Sequence, residues 1–156
     1  MGTRGAKTMT IQIQGGGIAR EDTVPVNQPC GPSPIARTSY VNEEADLWRQ
    51  AIDRMLTWKS GGGADHPDDL PKAEIITAAI DYACDQSDSG ISAPDSMVPS
   101  GAGRIAMEWN DRNGTTIIEF VDLGTAQFTR FDRGGKVVER HTLRRNPRSR
   151  QLELLG

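Results

Sequence analysis

The chain has 156 residues, a one-domain length, and only 36% of them are hydrophobic and 5% aromatic, beside 17 glycines and 9 prolines; that mixture predicts a small core with segments that bury little. No run approaches the roughly 18 consecutive apolar residues of a membrane helix, and no apolar secretory segment opens the chain, so it reads as cytoplasmic with no membrane partner. Net charge is only −3, yet residues 41–100 hold twelve acids against four bases, a balance of −8, while residues 104–150 hold ten bases against six acids, a balance of +4.

Residues 1–40 read as a flexible, disordered arm. Thr10-Ile11-Gln12-Ile13-Gln14 alternates like one short strand, and Gly15-Gly16-Gly17 ends it. Pro25, Pro29, Pro32 and Pro34 follow, each removing a backbone donor that a helix or sheet interior requires. The glycine run lacks the GxxxxGK[ST] pattern of a phosphate loop and reads as a linker.

A first helix is expected from Asn42 to Lys59. Asn42 suits an N-cap, Glu43, Glu44 and Asp46 complement the positive helix start, and Ala45, Trp48, Ile52, Met55 and Leu56 step by three and four along one face. Gly61-Gly62-Gly63 ends it. A second helix is expected from Asp69 to Gln86, with Pro71 in its first turn and Ala73, Ile76, Ala79, Ile80 and Ala83 as its stripe. Residues 87–103 read as loop, held extended by Pro94 and Pro99.

Period-two alternation takes over after Gly103. Ile105, Met107 and Trp109 make the apolar face of a first strand, and Asn113-Gly114 sits in a hairpin turn. Thr115–Val121 is apolar on both faces, Ile118 and Phe120 on one and Ile117 and Val121 on the other, which predicts a central strand. Thr125–Phe131 and Lys136–Leu143 complete the set, with Val138 and Val137 inward. The expected fold class is α+β: two N-terminal helices followed by a four-stranded antiparallel meander, in a single domain over 41–143. Residues 144–156 read as a basic tail with an apolar end.

The chemistry-bearing residues are sparse. Cys30 and Cys84 form no CxxC and read as two reduced thiols. His66 and His141 are the only histidines, and neither has a nucleophile or metal spacing around it. Asp65, His66, Asp68 and Asp69 are donors of the right type for a divalent ion, but Pro67 restricts them, and a solvated acidic loop is the reading. GxSxG, HExxH and dinucleotide fingerprints are absent. No catalytic, cofactor or metal residue is therefore assigned, and the chain reads as a non-enzymatic accessory protein that binds another protein or a second copy of itself.

Ile117, Val121, Phe128, Arg130, Arg144, Arg145, Arg148 and Arg150 are the expected interaction surface. The alternative is a nucleic-acid-binding regulator of antitoxin type. Arginines of the C-terminal third would neutralise phosphates, and Trp109, Phe128 and Phe131 would stack on bases. The acidic middle opposes that reading.

The segment Pro94–Trp109, with Met97-Val98-Pro99-Ser100-Gly101-Ala102-Gly103 leading into Arg104-Ile105-Ala106-Met107-Glu108-Trp109, resembles a motif of small uncharacterised bacterial proteins. Their pattern is a Pro-x-Val-x-Pro lead, a glycine-containing turn and an alternating strand ending in Glu-Trp. Trp58 with Gly61–Ala64 resembles a degraded form of their upstream Trp-Asp-Gly stretch, from which Lys59 and Ser60 depart. The resemblance covers about residues 55–140 and implies a helix before the motif and a short antiparallel sheet after it. It implies no activity.

Overall fold

Each stretch that alternates apolar and polar residues in the C-terminal half becomes a strand, and two helices precede them. The computed structural model describes residues 34–149 and 151–155; the arm expected over residues 1–40 lies largely outside them. The elements are α1 (Pro34–Lys59), a 3-10 turn (Pro67–Asp69), α2 (Ala73–Asp88), β1 (Ser96–Ser100), β2 (Arg104–Asp111), β3 (Gly114–Phe120), β4 (Thr125–Asp132), β5 (Val137–Arg145) and β6 (Leu152–Leu154). The strands form one antiparallel sheet in chain order, β1-β2-β3-β4-β5-β6.

The α+β class stands, but the meander has six strands where the sequence predicts four. Pro99 argued for a loop, yet β1 is an edge strand, and an edge tolerates a missing donor because one of its sides has no partner. The sixth strand comes from the stretch read as a tail. Asn146 Oδ1 accepts the amides of Arg148 and Ser149, and the Asn146 amide donates to the Gln151 carbonyl at 2.8 Å. This Asn-Pro turn folds the chain back so that Leu143 pairs with Leu154 and Arg145 with Leu152.

Helix boundaries also differ. α1 starts at Pro34, where a proline in the first turn costs no hydrogen bond, so Asn42 lies inside the helix and is not its cap. α2 starts at Ala73 rather than Asp69, because Leu70 precedes Pro71 and is extended (φ −74°, ψ 140°). The glycine run does end α1: Gly61 takes φ +86°, its amide donates to Trp58, and the Gly62 amide donates to Thr57.

Register assigns the faces. Met97, Met107, Ile118 and Phe128 form one cross-strand row, and Ile105, Phe120, Ala126 and Leu143 another. All eight are buried, on the face that carries the helices. α2 makes the close approach, over β2 and β3, and α1 packs along α2. Trp48, Met55, Trp58, Ile75, Ile76 and Ala79 complete the core from the helical side. Each buried tryptophan removes on the order of 200 Å² from water, about 5 kcal/mol of transfer free energy as an upper figure.

Polar bonds clasp the connection between α2 and β1. Trp48 Nε1 donates to the Ile91 carbonyl at 2.7 Å, and Trp109 Nε1 donates to the Ser92 carbonyl at 2.9 Å. Glu44 Oε2 accepts the Ala93 amide at 3.0 Å, and Asp95 Oδ2 accepts the Asn110 amide at 2.6 Å. Four successive contacts thus tie 91–95 to α1 and β2. Removing one donor leaves a half-buried carbonyl without its partner, a loss of about 1–3 kcal/mol, to which a smaller ring adds the cost of the space it vacates. Trp109→Phe should lower the unfolding free energy by at least that amount in urea denaturation, with the m-value unchanged; an unchanged midpoint would show that the Ser92 bond contributes nothing.

Gly114 closes the β2–β3 turn at φ +146°, and a Cβ there would lie 1.9 Å from the Phe131 carbonyl oxygen. Backbone stands on both sides of that contact, so it cannot yield as a side chain would. Gly114→Ala should cost about 3 kcal/mol, read as a fall in thermal midpoint several times that of Gly134→Ala, where the nearest atom is a side-chain oxygen at 3.3 Å.

Candidate interaction surface

The second face of the sheet carries no element from the described residues. Cross-strand rows on it run Val98–Ala106–Glu119–Gln127–Thr142, then Glu108–Ile117–Thr129–Arg140, then Asn110–Thr115–Phe131–Val137. Ile117 and Phe131 are half-buried by their neighbours, Thr129 is 9% exposed, and Val98 and Val137 are exposed. The register shifts between Arg130 and Phe131, leaving Val138 as an extra residue on β5. Val137 and Val138, expected inward, are therefore 40% and 56% exposed at the end of the sheet.

That end also holds two hairpin tips side by side. Asp111 Oδ1 accepts the amides of Asn113 and Gly114 in one, and Asp132 Oδ1 accepts those of Gly134 and Lys136 in the other. Arg133 Nε donates across to the Arg112 carbonyl. These bonds hold Arg112, Arg133 and Lys136, all exposed, beside the apolar row of Phe131 and Val137.

The sequence-predicted surface residues scatter. Ile117 lies on the open face, and Val121 is half-buried just beyond β3. Phe128 is buried, 5% exposed, in the core, so it cannot offer a surface. Arg130 shares the helix-bearing face with Phe128 but is half-buried. Arg144 is exposed on the open face. Arg145 points to the helical side and pairs with Asp81 of α2 at 2.7 Å. Arg148 is exposed in the β5–β6 turn, and Arg150 lies outside the described residues.

Phe131, Val137 and Arg140 lie on the open face but are not in the expected protein-interaction surface; Phe131 enters the sequence reading only as a base-stacking ring. The signal was present: Phe128 and Phe131 stand three apart, so a strand places them on opposite faces. Once Phe128 is in the core, Phe131 is out.

Groups with catalytic chemistry do not converge. Among the described residues no set of three or more His, Cys, Asp or Glu side chains gathers to hold a metal ion, so Asp65, His66, Asp68 and Asp69 do not form one. His141 Nε2 lies 2.8 Å from Glu139 Oε1, and its ring is tilted against Phe128 with centroids 6.0 Å apart. Tyr82, edge-on to Phe120, has its phenol pushed above the usual tyrosine range by burial. It lines a cleft with Asp122, Leu123, Thr125 and Arg145 that has room for barely one water, about 10 Å³. That is below the roughly 300–1,000 Å³ of small-molecule sites, and its one cation is already neutralised by Asp81. Among the described residues no helix is long and apolar enough to cross a membrane. No family model, curated protein or solved structure matches the chain.

Cys84 is exposed on α2, and its thiol is pushed up by partial burial and by Asp81, Asp88 and Asp85 around it. A raised thiol pKa means less thiolate at a given pH, and the thiolate is the nucleophile. In a Cys30→Ser background, Cys84 should react with iodoacetamide at pH 8 more slowly than free cysteine. Asp88→Asn should speed it. Equal rates in the two proteins would remove the electrostatic cause.

Proposed function

We propose that the chain is a non-enzymatic interaction module that binds another protein, or a second copy of itself, on the open face of its sheet. The observation that carries this reading is the placement of Ile117, Phe131 and Val137 on a face that the described residues leave bare. Soluble domains keep contiguous exposed apolar patches small, and such a patch rimmed by polar groups is the mark of a docking surface. A non-enzymatic role accords with the nucleophile-type groups: the Cys84 thiol and Tyr82 phenol are shifted toward their unreactive protonated forms.

The alternative, a nucleic-acid-binding regulator, loses support. Two of its three stacking rings, Trp109 and Phe128, are each only 5% exposed in the core, and Arg145 is committed to Asp81. Base stacking needs a ring face open to solvent, and only Phe131 on the open face offers one.

A photo-crosslinking residue at position 131, in cells of the native host, should give one discrete adduct with a second polypeptide. Ile117→Lys on the same face should suppress it. The same probe at Leu56, 48% exposed on α1, is the control. Adducts of equal yield from positions 56 and 131 would sink the proposal, and an adduct of twice the chain mass would identify the partner as a second copy.

A further inference from the structure

Acids and bases of the sheet are used differently. From Asp95 to Glu153 there are eight acids: Asp95, Glu108, Asp111, Glu119, Asp122, Asp132, Glu139 and Glu153. Every one accepts a hydrogen bond inside the protein. Three of them, Asp111, Asp122 and Asp132, hold turn amides; Asp95 holds Asn110, and Glu153 holds Asn146. Between Asp95 and Ser149 there are nine cations. Arg104 pairs with Glu119 at 3.6 Å and Arg145 with Asp81, and the remaining seven make no ion pair among the described residues.

The seven are not spread evenly. Arg112, Arg133 and Lys136 stand in the two adjoining hairpin tips, and Arg140 lies on the open face in the row of Ile117 and Thr129. Arg133, Lys136 and Arg140 belong to the same β4–β5 hairpin as Phe131 and Val137, and Arg112 stands in the adjoining tip. Glu108 and Glu119 lie across the same face, on β2 and β3. With Glu119 paired to Arg104 on the same face, the open face is anionic at Glu108 toward β2 and cationic toward β5 and the tips.

We infer that the partner of this face is an acidic polypeptide segment, seated with its apolar side chains on Ile117, Phe131 and Val137 and its carboxylates on Arg140, Arg112, Arg133 and Lys136. The inference rests on the reading of the open face as a protein-docking surface. The charge layout supplies the complement that such an occupant needs: the anchors are apolar, while the cations beside them form no ion pair among the described residues. It also sets direction, because Glu108 repels the acidic end of a segment laid the wrong way. A polynucleotide fits less well, since Glu108 shares the face with a single outward ring, Phe131.

The test is a selection of peptides from an unbiased library of random 12-residue sequences, using the full chain immobilised. Enriched peptides should be acidic and should carry apolar residues at alternate positions. Their affinity should fall about tenfold on Arg140→Glu, with a similar fall on Lys136→Glu, and should weaken as salt shortens the screening length. Both substituted positions are exposed, so circular dichroism should be unchanged. Enriched peptides that are neutral yet lost on Ile117→Lys would overturn the acidic partner while leaving the face a docking surface. Peptides indifferent to Ile117→Lys and Arg140→Glu alike would overturn both. Mixed-sequence single-stranded RNA binding at the same salt as the peptides, and lost on Arg140→Glu, would overturn the inference in favour of a nucleic acid.

Discussion

Two indole N–H groups and two carboxylates hold this fold in register. Trp48 and Trp109 come from a helix and a strand that are far apart in sequence, and their ring nitrogens bond the adjacent carbonyls of Ile91 and Ser92. Glu44 and Asp95 add the flanking bonds. The connection they secure carries the chain from the end of α2 to the start of β1. Fixing it decides where β1 begins, and hence which residues of β1 face Met107. A connection bearing unpaired carbonyls beside a core would cost more than it contributes. The tryptophans resolve that conflict, because each has an apolar body for the core and one donor for the loop. Their function is therefore structural, although an aromatic cluster in a basic region invites a stacking role.

The same one-sided construction explains the candidate site. Two helices are available, α2 spans β2 and β3, and α1 lies against α2 rather than across the rest of the sheet. A six-stranded meander has two faces, and the helices cover one. The apolar residues of the strands divide unequally as a result. Met97, Ile105, Met107, Trp109, Ile118, Phe120, Ala126, Phe128 and Leu143 are buried. Ile117, Phe131 and Val137 remain on the face that the described residues leave uncovered, with threonines and charges between them. Neutralisation follows the same division: the internal acids cap turns and bind amides, the Asp81–Arg145 pair joins helix to sheet, and cations are left outward.

Much of this was legible in the chain. The period-two pattern located β2 to β5, the glycine run ended α1, and the separation of an acidic middle from a basic third survives as acidic helices and a sheet with outward arginines. β1 and β6 were not legible. Five residues containing a proline do not read as a strand, and Leu152-Glu153-Leu154 is too short to carry a pattern; each exists because a neighbouring strand offers it a ladder. Among the candidate surface residues, Ile117 and Arg144 lie where a partner can reach them, whereas Phe128 and Arg145 were drawn inward. Residue type alone does not separate Arg144 from Arg145: consecutive strand residues face opposite ways, and only the helix side holds an aspartate.

The amino-acid sequence by itself determined the class, the order of helices before strands, and the pairing of neighbouring residues onto common faces, because these follow from local periodicity and turn chemistry. It did not determine which face is covered. That choice depends on where α2 lands, which is a sum of long-range contacts between Ile75, Ile76, Ala79 and the strand residues beneath them. Tertiary structure alone placed Phe128 inside and Phe131 outside, turned Arg145 into half of an ion pair, and left Arg140 and the cations of the hairpin tips without an ion pair among the described residues. Alternation specifies two faces of a strand equally well, and only packing breaks the tie.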